Sequence, residues 1–257
     1  MVSGMTDMAK AAKEAPDLDA LRAAATALRA EDLDPRWLAN LVGAETGSWP
    51  EFAALAHRTV PPDDRWIVME LCRRTLTAPG SRLELDKDTR VGKPFFHHGD
   101  LVVAGDLRVV APFLVTGSVT VRNVFTDSGP DSSVMIGDGL RARAVYTDGE
   151  MYVSDTISAE IVYCYYNDHT LEAKAIEAGL VIEDDHCVIA TVRAEHHFDM
   201  DTFRQGYGEG VQDRLRELLA PEVFVHEPDD EPRMDHRLLF ERLHQGLEVL
   251  RQAPAHP

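Results

Sequence analysis

The amino-acid sequence predicts an α+β protein with a helical amino-terminal region, a central parallel β-solenoid and a helical carboxy-terminal cap. Three observations carry that expectation. Apolar residues recur at helical steps before about Pro79, they alternate with polar residues in a series of similar segments from Leu101 onward, and helical spacing returns after His197. The expected divisions are a flexible tail over 1–16, helices over 17–80, the solenoid over 95–200 and the cap over 205–251.

Leu18, Leu21, Ala25 and Leu28 lie on one face of a first helix. Asp34-Pro35 supplies a cap and a first-turn proline for a second, which carries Trp37, Leu38, Leu41 and Val42 and closes at Gly43. Ser48-Trp49-Pro50-Glu51 reads as a capping box for a third helix through Phe52, Leu55 and Ala56. Pro61-Pro62 breaks the chain, and Asp63 or Asp64 can start a fourth with Trp66, Ile67, Met69, Leu71 and Cys72. Short helices with tight breaks suggest a small bundle or two stacked helical hairpins, whose tryptophans fill the core.

Beyond the fourth helix the period changes to two. Segments beginning at Leu101, Phe113, Val134, Met151 and Leu171 give a mean repeat of about 17.5 residues over the four steps from 101 to 171. That length suits one coil of a solenoid, in which no coil can bury its own apolar face and stacking makes the core. Gly105, Gly117, Asp138 and Asp155 mark the middle inward position of the first four segments.

The run His97-His98-Gly99-Asp100-Leu101-Val102-Val103-Ala104-Gly105-Asp106-Leu107, followed by Phe113-Leu114-Val115-Thr116-Gly117-Ser118-Val119-Thr120-Val121, resembles the coils of bactofilin-like polymer-forming β-helix proteins. The likeness covers about residues 97–190 and implies a right-handed parallel β-helix without enzymatic activity. The chain departs from that pattern in its uneven coil lengths and its flanking helices. Its Asn-Asp-His and Asp-Asp-His turns are also similar to those of repeat-containing bacterial immunity and interaction proteins.

After the solenoid, Val211, Leu215, Leu218 and Leu219 mark a helix, and Gly206 to Gly210 a hinge before it. Pro221, Pro228 and Pro232 bracket an acidic linker, and Asp235 caps a last helix expected to carry Leu238, Leu239, Leu243, Leu247 and Leu250.

The charge balance, 26 basic against 44 acidic residues for a net −18, disfavours nucleic acid and anionic membrane and favours a basic protein partner. Three cysteines, Cys72, Cys164 and Cys187, form no C-x-x-C pair; an odd count fits a reducing cytoplasm and core packing. Met1 to Ala11 lacks the basic-then-apolar order of a secretory signal, which agrees with a cytoplasmic protein.

Asp168-His169 and Asp185-His186 are 17 residues apart and should stack on one edge. With His197 they form a candidate divalent-metal site for a hydrolase, because imidazole and carboxylate suit such ions. The same residues also serve as turn formers. Asp86-Lys87-Asp88 opens like a calcium loop but lacks the later ligands. No G-x-S-x-G, H-E-x-x-H or P-loop is present. The preferred expectation is therefore a cytoplasmic, non-enzymatic binding protein needing no cofactor, an immunity-type inhibitor or scaffold. It would present Tyr166, Asp168, Glu172, Asp184 and Asp185 to a basic partner. A metal-dependent hydrolase and a bactofilin-like self-assembling protein are the alternatives.

Overall fold

The computed structural model describes residues 15–31, 35–129, 131–165, 169–200, 210–226 and 231–251. Every strand between Ser81 and Asp199 pairs in parallel, and the register carries one position of each coil onto the same position of the next. Leu83, Leu101, Val119, Leu140, Ile157, Ile176 and Val192 make one such inward column. The chain thus winds about six turns of a parallel β-solenoid.

Each coil has three faces. The first coil is β1 (Ser81–Leu85), β2 (Thr89–Val91) and β3 (Phe95–His97). The second is β4 (Gly99–Val103), β5 (Leu107–Val109) and β6 (Pro112–Val115), and the third is β7 (Val119–Val121), β8 (Val124–Asp127) and β9 (Ser133–Ile136). After β10 (Leu140–Arg141) and β11 (Ala144–Thr147) come three long strands, β12 (Glu150–Cys164), β13 (Thr170–Glu183) and β14 (Cys187–Asp199). Each long strand takes the third face of one coil and the first two faces of the next.

The solenoid begins a coil earlier than the sequence suggests, at Ser81. The expected repeat also mixed two periods, since Leu101 and Phe113 lie on different faces of one coil. Three strands with the same alternation make a face and a coil look alike in sequence. Coil length, read from the inward column, varies from 16 to 21 residues.

Gly105, Gly117 and Asp138 sit at corners between strands, not in mid-strand, whereas Asp155 lies within β12 at the register shift between Val153 and Thr156. The corners are stitched across coils. Asp88 Oδ1 accepts the amide of Asp106 at 2.9 Å, Asp100 Oδ1 that of Ser118 at 2.9 Å, and Asp106 Oδ1 that of Val124 at 3.1 Å, each 18 residues on. A glycine permits this approach: a Cβ on Gly105 would lie 2.1 Å from Asp88 Oδ1, and one on Gly117 2.5 Å from Asp100 Oδ1.

The amino-terminal helices are α1 (Leu18–Ala30), α2 (Arg36–Gly43), α3 (Trp49–Thr59) and α4 (Arg65–Thr75). The capping box forms at Ser48, whose Oγ accepts from the amide of Glu51, while the Glu51 carboxylate reaches back to the amide of Gly47. Asp34 lies outside the described residues, and the residue capping α2 is Pro35, without a side-chain bond. Asp64 caps nothing with its side chain; its carboxylate accepts the Trp37 indole N–H at 2.6 Å.

This helical unit covers the third face. There Phe96, Leu114 and Met135 form an outward apolar column, 5%, 0% and 1% exposed, and Trp49 stacks on Phe96 at 4.6 Å. The carboxy-terminal α5 (Val211–Leu218) and α6 (His236–His244) lie on the second face instead. Phe240 meets Tyr146 and Tyr163 edge-on at 5.1 and 6.2 Å. The helices are therefore flanks rather than the lid expected over 205–251, because the outward apolar columns run along the sides. The inward residues Val188, Ala190, Val192 and Ala194 of the last coil are half-exposed.

The last helix is shorter than its leucine spacing suggested. It stops before Gly246, whose φ is +74°, Leu247 is 42% exposed, and Leu250 bridges to Leu219. Arg143 terminates α6 by donating to the carbonyls of Leu243 and Leu247 at 3.5 and 2.9 Å.

Gly105→Val and Gly117→Val are expected to cost about 3 kcal/mol or more, since the branched side chain meets backbone and carboxylate of the neighbouring coil. Asp100→Ala should lose only about 1–2 kcal/mol, one cross-coil hydrogen bond. Urea unfolding measures both; a Gly117→Val protein as stable as its parent would refute the corner packing.

Candidate functional site

The corner between the second and third faces gathers most of the singled-out residues. Its turns in the lower coils are 148–149, 165–169 and 184–186, of which 166–168 lie outside the described residues, and with them Tyr166 and Asp168. His169 and His186 stack one coil apart, flanked by the pairs Thr170–Cys187 and Leu171–Val188. Each imidazole donates Nδ1–H to a carbonyl of the preceding coil: His169 to Asp148 and His186 to Tyr165, both at 2.8 Å. A carbonyl can only accept, so Nδ1 carries a proton in both rings.

His186 is 6% exposed and its Nε2 has no hydrogen-bond partner. Burial pushes its pKa down to about 4, which keeps the ring neutral. His197 lies elsewhere, at the second face of the last coil, with Nε2 2.6 Å from Glu183 Oε1. Among the described residues no three His, Cys, Asp or Glu side chains are grouped to hold a metal ion. The corner thus brings together His169, His186 and Asp185, and leaves His197 apart.

Asp184 and Asp185 follow β13. Asp184 accepts the Tyr163 hydroxyl at 2.6 Å, and burial holds its carboxyl above the usual range against that bond. Asp185 has φ +54°, the one positive value for a non-glycine among the described residues, in a region that aspartate tolerates. Asp148 and Asp131 continue the acidic edge upward, and Asp148 Oδ1 accepts the Gly129 amide at 3.0 Å. Among the described residues of these turns there is no lysine or arginine. Glu172 stands on the outward column of the third face between Tyr152 and Ile189. Burial and then the nearby Asp63 raise its pKa.

The tyrosines follow the expected parity: Cys164 points into the core and Tyr163 points out. Tyr163 is nevertheless buried against Tyr146 and the α6 residue His236, and Tyr165 packs on His236 at 4.4 Å. Cys72 and Cys164 are buried as expected. Cys187 is exposed, because it points outward on β14 in register with Thr170.

Two interactions at this corner had no signal in the sequence. Arg65 of α4, 4% exposed, pairs with Glu150 at 2.9 Å, and Glu150 also accepts the Thr170 amide at 3.2 Å. That pair ties the helical unit to two coils across 85 residues of chain. Inside the solenoid, Asp127 is fully buried one coil above Thr147, which donates to it at 2.9 Å, while Ser132 donates to its other oxygen. Burial pushes the Asp127 carboxyl up to about 7. The 20-residue offset of Asp127 and Thr147 was legible only once coil lengths were known.

No protein-family model, curated protein or solved structure matches this chain.

Asp127 makes stability depend on pH. Between its ordinary value of 3.8 and about 7, the native state keeps a proton that the unfolded chain has lost, so stability falls as pH rises through that window. The fall should approach ~1.4 kcal/mol per pH unit. Asp127→Asn should therefore gain stability relative to the parent as urea unfolding is moved from acid to neutral pH. A difference independent of pH would show that Asp127 ionises freely in the fold.

Proposed function

We propose that this protein is a non-enzymatic binding protein, an inhibitor of the immunity type or a scaffold, that offers its acidic corner to a basic protein. The observation that carries this reading is the edge formed by Asp131, Asp148, Asp184 and Asp185, without a basic side chain in the described turns and flanked by Glu172. Like charges at one edge in successive coils repel one another, and an approaching cationic surface relieves that repulsion. Solenoids present such extended surfaces without needing a cleft. Association with the partner should be fast at low salt and fall steeply as salt rises.

A second reading, self-association, is favoured by a separate observation. β14 pairs only with β13 among the described residues, leaving the other edge of a 13-residue strand and four half-exposed inward residues at the end of the stack. A second copy could continue the ladder there. Concentration-dependent mass in light scattering, abolished by Val192→Lys, would support it over the acidic-corner reading.

Asp131→Lys together with Asp185→Asn should slow association with a partner isolated from the native host by about tenfold and flatten its salt dependence. The melting temperature should stay close to the parent's, since Asn tolerates the left-handed backbone at position 185. Surface plasmon resonance at two salt concentrations measures this; unchanged association rates would refute the acidic corner as the contact surface.

A further inference from the structure

At the corner between the third and first faces, away from the acidic edge, α4 crosses the coils and leaves a cleft of about 420 Å³. Gly137 sets how closely they approach: a Cβ there would lie 2.1 Å from the Thr116 carbonyl oxygen and 2.9 Å from Met69 Cε. The walls are largely apolar and aromatic, with Trp66, Met69 and Leu76 on the helical side and Tyr152 on the solenoid side. Trp66 and Tyr152 are half-buried, whereas Trp37 and Trp49 are 9% and 5% exposed.

The charged groups of this cleft are neutralised with one exception. Glu70 takes two bonds from Arg73 and one from Arg74, all at 2.6 Å, so the arginine at the rim is already balanced. His98 is held at both nitrogens, by the Thr116 hydroxyl at 2.7 Å and the Ala78 carbonyl at 2.8 Å. Asp138 faces no cation. Its charged neighbours are Asp100, whose Oδ1 is bound to the Ser118 amide, and Asp155, which Lys174 reaches at 3.2 Å. Asp138 is exposed at the rim of the cleft, and partial burial, followed by these two like charges, raises its pKa.

An uncompensated carboxylate beside two aromatic rings complements a cation with an apolar surface. A hydrated metal ion gains nothing from these walls, and a neutral apolar molecule leaves the charge unbalanced. We propose that the cleft binds a small organic cation, an alkyl-substituted ammonium, with Asp138 balancing its charge and Trp66 and Tyr152 contacting its substituents. This site is independent of the acidic corner and stands or falls without it.

The test is titration of the full chain with tetramethylammonium chloride and with choline chloride, against sodium chloride at equal ionic strength and against the neutral carbon isostere of choline. Tryptophan fluorescence and calorimetry report binding. The expected result is a saturable response to both ammonium compounds and none to the salt or the isostere. Asp138→Asn, which removes no hydrogen bond seen in the fold, should weaken binding by about tenfold while leaving the melting temperature intact. Trp66→Leu should abolish the fluorescence response. Absence of saturation with either cation, equal affinity for the isostere, or unchanged affinity in Asp138→Asn would overturn the proposal.

Discussion

Each coil of this solenoid depends on the coil beside it, because three short strands enclosing a triangle can bury their inward residues only when the same positions stack above and below. The column from Leu83 to Val192 is the direct expression of that constraint. Its inward residues are fully buried in the middle of the stack, and the corresponding positions in β14 are half-exposed where the ladder stops. The burial of any one coil is therefore a nearest-neighbour property, as in other repeat architectures.

The corners obey the same constraint in polar form. A turn must satisfy backbone amides that the strand ladder leaves over, and here the carboxylates of Asp88, Asp100, Asp106 and Asp148 do so across coils. Part of the acidity is thus scaffold, and the histidines at positions 169 and 186 perform the matching task for carbonyls. Asp131 and Asp138 are among the side chains whose charge faces outward or into a cleft.

The two helical units are placed by outward columns that are apolar for only part of the solenoid's length. On the third face the apolar column gives way to Tyr152 and Glu172, and the helices end where it does. On the second face Arg90 and Arg108 precede Tyr146 and Tyr163, so α5 and α6 settle on the later coils. Among the described residues the first face carries no helix, and it stays polar, with Glu177 paired to Arg193 at 3.2 Å. The Arg65–Glu150 pair then fixes the helical unit beside the acidic corner.

The sequence by itself determined the classes of its segments and the parallel solenoid, because alternation over residues 101–190 and helical spacing on both sides are local patterns. It also placed His169 over His186 and Cys164 in the core, since a coil-length offset and strand parity suffice for both. Only the tertiary structure decided where the coils begin, how unequal they are, and what the corner residues touch, since an aspartate in a turn looks the same whether it bonds its own backbone or the amide 18 residues on. Arg65 with Glu150, Asp127 with Thr147, and Asp138 in one cleft with Trp66 are products of stacking and docking. Their meeting is set by the geometry of coils and flanks, and no local rule of spacing connects them.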